Sequence, residues 1–83
     1  MKLSNAQYET LHEAYLYYKR SVTGGWFYPS RYELAEVYTT TPTCKALCRK
    51  GLLEYRVGLP AIGKYPEALE FRITEDGMKQ VVA

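Results

Sequence analysis

The chain reads as a single α+β domain in which three helices pack on a small antiparallel sheet. Three observations predict it. Tyr8, Leu11, Tyr15 and Tyr18 recur at spacings of three and four, which marks one face of a helix. Leu53, Tyr55 and Val57, then Leu69, Phe71 and Ile73, alternate with polar residues on either side of a Pro/Gly-rich stretch, as two half-buried strands of a hairpin do. A short basic segment, Thr43 to Lys50, is closed by Gly51 just before the first of these strands. The 83 residues make one domain, 1–83, with a modest core.

The first helix starts at a capping box, with Ser4 as N-cap and Gln7 three residues on. Leu3 and Tyr8 occupy the positions of a hydrophobic staple. Leu16 and Tyr17 fall off the apolar stripe, which makes Tyr17 a candidate partner residue. Lys19 and Arg20 suit the negative end of the helix dipole. Thr23-Gly24-Gly25 is a turn, and Trp26-Phe27-Tyr28 a short aromatic strand.

Ser30, with Glu33 three residues on, predicts a second helix whose apolar positions are Leu34, Val37 and Tyr38. The β-branched run Thr39-Thr40-Thr41 ends it. Thr41 then caps a third helix over Pro42–Lys50, with Pro42 at N1, where its missing N–H costs nothing. On a helical wheel Thr43, Leu47 and Lys50 turn inward, while Lys45, Cys48 and Arg49 turn away. Pro60 to Pro66 forms the loop between the two strands, and Glu75 to Ala83 a last helical turn or a packed tail. The expected core is Leu11, Tyr15, Leu34, Val37, Leu47, Leu52, Phe71 and Ile73.

Composition narrows the function. The chain is 47% hydrophobic and 24% charged, ordinary for a globular domain, so its functional signal must come from arrangement. No apolar run approaches a membrane span and the N-terminus has no signal-peptide h-region, which predicts a cytoplasmic protein. Cys44 and Cys48 lie one helical turn apart, a poor geometry for a disulfide, and read as reduced thiols. Two cysteines without histidine partners make no metal site, and no cofactor motif is present. His12 stands alone, and no nucleophile–base pair or phosphate loop points to an enzyme. Net charge is only +2, but its distribution is uneven. From Thr43 to Lys64 the cations Lys45, Arg49, Lys50, Arg56 and Lys64 face one acid, Glu54. That is a local +4 on the helix and hairpin.

Three motifs resemble the winged helix-turn-helix family. Glu33-Leu34-Ala35 is similar to the E-L-A opening of the helix before the turn. Thr43-Cys44-Lys45-Ala46-Leu47-Cys48-Arg49-Lys50-Gly51-Leu52-Leu53 is similar to the family's T-x-x-A-L-x-x-K-G-L-L pattern, and Arg72-Ile73-Thr74-Glu75-Asp76-Gly77 resembles its closing R-(L/I)-T-x-x-G. The likeness extends over roughly residues 3 to 80 and is nearest to small regulators of the MarR or PadR kind. It implies three helices, a small antiparallel sheet and a two-stranded wing. Two departures stand out. About one helical turn is missing between Glu-Leu-Ala and Gly-Leu-Leu, and long flanking dimerisation helices are absent.

The resemblance implies a DNA-binding transcriptional regulator. Its third helix would enter the major groove of double-stranded DNA, with Lys45 and Arg49 at base edges or phosphates. Thr41 and Thr43 would donate to a phosphate at the helix N-terminus. Arg56 on the wing strand and Lys64 at its tip would follow the adjacent backbone, and the four or five contacts imply a salt slope of about −4. A homodimer would supply two half-sites. The alternative is a protein-binding adaptor or inhibitor, of the kind encoded by phages and mobile elements, acting on a host protein complex. Nine tyrosines favour it, and Tyr17, Ile62 and Tyr65 are then the candidate partner surface. No membrane partner is expected, since no helix joins a basic face to a wide apolar one.

Overall fold

The structure is a computed structural model that describes residues 2–58 and 69–82. Its elements run α1 (Asn5–Arg20), α2 (Thr41–Arg49), β1 (Leu53–Val57), β2 (Leu69–Ile73) and α3 (Glu75–Val82). The fold class is α+β, with three helices and a two-stranded antiparallel sheet. No helix among the described residues is long and apolar enough to cross a membrane.

The capping box at Ser4 forms in full: Gln7 N–H donates to Ser4 Oγ, and Ser4 N–H to Gln7 Oε1. The face that α1 buries is rotated from the expected tyrosine stripe. Thr10, Leu11 and Ala14 are buried, whereas Tyr8 and Tyr18 are exposed and Tyr15 is half-buried. A threonine can lie inward because its hydroxyl is satisfied there: Thr10 Oγ1 and Thr39 Oγ1 are 2.7 Å apart. Tyr17 packs edge-on against Phe27, with ring centroids 6.5 Å apart, so part of this off-stripe residue belongs to the core rim.

The helix expected from Ser30 does not form. Residues 31–38 hold a turn in which Ala35 N–H donates to the Tyr32 carbonyl, and a parallel bridge joins Ser30 to Tyr38. Ser30 Oγ accepts from Tyr32 N–H, a local turn bond, rather than from Glu33. Arg31, Glu33, Leu34, Ala35 and Glu36 are good helix formers, but the segment is short and only Val37 among its apolar residues is fully buried, so no apolar face supports a helix. Leu34, expected in the core, is 96% exposed. Of the other expected core residues, Leu11, Val37, Leu47, Leu52, Phe71 and Ile73 are buried, together with Ala14, Phe27, Cys44 and Leu53, while Tyr15 only packs against this core half-buried.

The hairpin register pairs Leu53 with Ile73, Tyr55 with Phe71 and Val57 with Leu69. Phe27 adds a bridge to the far side of Phe71, exchanging both backbone bonds with it. The expected alternation in burial holds in β2, but in β1 the core ends after Leu53. Leu53 is buried, while Tyr55 and Val57 on the same side are more than half exposed.

The junctions explain two of the sequence motifs. Gly51, at φ 76°, ends α2 in a left-handed turn: its N–H donates to Cys48 and that of Leu52 to Leu47. Thr74 caps α3, accepting from Gly77 N–H while its hydroxyl donates to the Gly51 carbonyl. A Cβ on Gly77 would lie 2.2 Å from the Leu52 carbonyl oxygen, so only glycine lets α3 approach this closely. The closing Thr–x–x–Gly thus ties the end of α2, the start of β1 and α3 together. Residues Glu75–Val82, where the sequence predicts a helical turn or a packed tail, form the helix α3.

Candidate nucleic-acid interface

The N-cap of α2 is Thr40, one residue earlier than expected. Its hydroxyl accepts from Thr43 N–H and lies 2.9 Å from the Thr43 hydroxyl. Thr41 is therefore N1 and Pro42 N2, still within the first turn, where a missing N–H costs nothing. The change separates two candidate residues. Thr43 is half-buried and engaged with the cap, whereas Thr41 is exposed.

Cys44 and Leu47 anchor α2 in the core, and both are fully buried. Cys48, expected to turn outward, is half-buried and packs against the same core. Thr41, Lys45 and Arg49, spaced by four, then fall on one exposed stripe. Neither Lys45 nor Arg49 has a salt-bridge partner among the described residues. Lys50 is committed elsewhere, its Nζ donating to Gln7 Oε1 at 3.0 Å and to the Lys2 carbonyl at 3.3 Å.

Arg56 occupies a different environment on the outer face of the sheet. Its Nε donates to Glu70 Oε1 at 3.0 Å, and its guanidinium lies 4.2 Å from the centroid of the Trp26 ring. Arg72 makes the matching pair with Glu54 and lies 4.5 Å from the same ring. Two arginines, two glutamates and one tryptophan thus form a mutually satisfied cluster. Trp26 is far from Arg56 and Arg72 in sequence, so no local motif announces their meeting. The register does: alternation places Glu54 opposite Arg72 and Arg56 opposite Glu70. Lys64, Ile62 and Tyr65 lie outside the described residues.

Burial pushes the Cys44 thiol up to about 12, a rise only partly offset by its hydrogen bond with Thr39. Burial also raises Cys48, against the opposing charge of Arg49. Neither environment favours a thiolate near neutral pH, so these cysteines contribute packing to α2. Among the described residues, no group of three or more His, Cys, Asp or Glu side chains is placed to hold a metal ion.

No family model matches the chain, and neither a curated protein nor a solved structure matches it.

Proposed function

We propose that the chain is a winged helix-turn-helix protein that binds double-stranded DNA as a transcriptional regulator, with α2 entering the major groove. The observation that carries this reading is the exposed Thr41–Lys45–Arg49 stripe, whose two cations have no acidic partner among the described residues. The order of elements supports it: helix, bridge strand, turn segment, helix, hairpin, helix. The turn over 31–38 takes the place of the helix that usually precedes a recognition helix. Thr40 and Thr43 hold the N-terminus of α2, and the exposed Thr41 hydroxyl there suits a phosphate oxygen.

The engagement of Lys50 and Arg56 lowers the expected salt dependence. Lys45 and Arg49, with Lys64 of the wing as read from the sequence, correspond to a slope of about −3 in log K against log salt. Fluorescence anisotropy on random-sequence duplex DNA across a salt series tests the reading. Binding with a slope near about −3 supports it, and no binding at low salt refutes it.

A second reading has its own observation. Tyr32 and Leu34 are 81% and 96% exposed, side by side on the turn before α2. A protein-binding adaptor or inhibitor would use such residues as anchors, although single exposed apolar side chains are common on ordinary surfaces. Substituting both with serine separates the readings. DNA binding survives the change if α2 carries the function.

A further inference from the structure

Among the described residues, the edge of β1 away from β2 has no backbone partner, and the chemistry along it is self-complementary. Phe71 exchanges both backbone hydrogen bonds with Phe27, so its N–H and C=O point away from β1. The neighbours Glu70 and Arg72 therefore bond towards β1, to Arg56 and Glu54 respectively. It follows that the N–H and C=O groups of Leu53, Tyr55 and Val57 point to the opposite edge. Among the described residues, no backbone group outside the hairpin pairs with Tyr55 or Val57. Tyr55 is 62% exposed and Val57 65%, so this edge is also accessible through its side chains. The edge carries no proline or lysine, two of the usual devices against strand pairing.

We infer that β1 pairs antiparallel with β1 of a second copy of this chain, about a two-fold axis through Tyr55. In that register Tyr55 faces Tyr55 of the second copy on the axis, while Leu53 faces Val57 and Glu54 faces Arg56, each of these two pairs occurring twice by symmetry. The outward backbone groups of Leu53, Tyr55 and Val57 all find partners. Glu54 and Arg56 fall in the non-hydrogen-bonded pairs, where side chains approach most closely. The existing pairs Arg56–Glu70 and Arg72–Glu54 extend across the joint. Each row of the four-stranded sheet then reads Glu70, Arg56, Glu54, Arg72, with charge alternating at every strand.

Charge complementarity selects this register from its neighbours. Moving the axis to Arg56 sets arginine against arginine, and moving it to Glu54 sets glutamate against glutamate. A one-residue slip would put the wrong faces and the wrong backbone groups together. Five paired residues a side fall short of the roughly 1,200 Å² of a standard stable interface, so the dimer is weak and concentration-dependent. The pairing stands independently of the DNA reading, because it rests on the sheet and not on α2.

Two measurements test it. Light scattering coupled to size exclusion should give 9.6 kDa at low micromolar concentration, rising towards twice that mass at millimolar concentration. Tyr55→Pro removes an N–H that the β1–β2 ladder does not use, and should hold the mass at 9.6 kDa throughout. The second measurement does not depend on that variant folding. Tyr55→Cys should form a disulfide-linked dimer under mild oxidation, since facing residues in such a pair lie about 5.5 Å apart. Val57→Cys should not, because the two copies of residue 57 would be separated by about 14 Å. Both variants are made with Cys48→Ser, Cys44 being buried. A wild-type mass of 9.6 kDa at every concentration, or equal crosslinking by the two variants, overturns the proposal.

Discussion

The cations of α2 and those of the sheet are the same residue types in opposite circumstances. Lys45 and Arg49 stand on an exposed stripe without acidic partners among the described residues. Arg56 and Arg72 lie over Trp26 and are paired with Glu70 and Glu54. Along the sequence, Arg49 and Arg56 look equally available for a phosphate. In space one is presented and the other is already satisfied. Charge counted along a chain is therefore an upper bound on the charge a partner can use. The useful number is what remains after cross-strand pairing.

The largest expected effect concerns the seat of α2. Leu47 is fully buried, and a Leu47→Ala change leaves a cavity beneath the helix. It should cost about 2–5 kcal/mol, measured by urea denaturation. If Lys45 and Arg49 work as part of a rigid helix, DNA affinity falls along with this stability. If affinity stays unchanged while stability drops, their attraction is diffuse and the contrast with the sheet loses its meaning.

The next effect tests the contrast itself. Lys45→Ala and Arg49→Ala should each weaken duplex binding by about 1–3 kcal/mol if they reach base edges. Arg56→Ala should change affinity much less, since its guanidinium is held by Glu70 and Trp26. Anisotropy titrations of the three variants at one salt concentration decide it. Equal losses at all three positions would show that the intramolecular pairing does not withhold Arg56.

A smaller effect sharpens the same point from the other side. Glu70→Gln removes the charge that holds Arg56 and should cost no more than about 1 kcal/mol of stability, as partly exposed pairs do. If Arg56 is near enough to DNA to matter, its release steepens the salt slope by about 0.9. An unchanged slope would place the outer face of the sheet away from the DNA altogether.

Much of this arrangement was legible in the sequence because it depends on local patterns. The Ser4–Gln7 capping box, the Gly51 stop and the alternation in β2 each fix structure within a few residues, and all three appear as read. What escaped depends on distant partners. The inward turn of Thr10 needs Thr39, and the fate of Arg56 needs Trp26 as well as Glu70. Alternation also says which face of β1 is apolar but not where the core stops, so Tyr55 and Val57 read as part of the inward face of a half-buried strand though both are exposed. The Ser30–Glu33 pattern misled for a related reason. A capping box is a start signal, and it yields a helix only if the following residues offer a face to bury.

The smallest expected effect follows from that failure. Leu34 and Val37 both read as core positions of one helix, yet Val37 is fully buried and Leu34 is 96% exposed. Leu34→Ala removes no packed surface and leaves no cavity, so its effect on stability should stay within about 0.5 kcal/mol. Val37→Ala, by contrast, should cost on the order of 2 kcal/mol or more by the loss of buried methyl groups. Thermal or urea unfolding of the two variants, measured in one buffer, makes the comparison. Had a helix formed here with Leu34 facing α1, the two substitutions would be comparably damaging. A Leu34→Ala loss as large as that of Val37→Ala would therefore reinstate the missing helix, and with it the two-helix reading of residues 30–50 that the structure replaces by one turn and one helix.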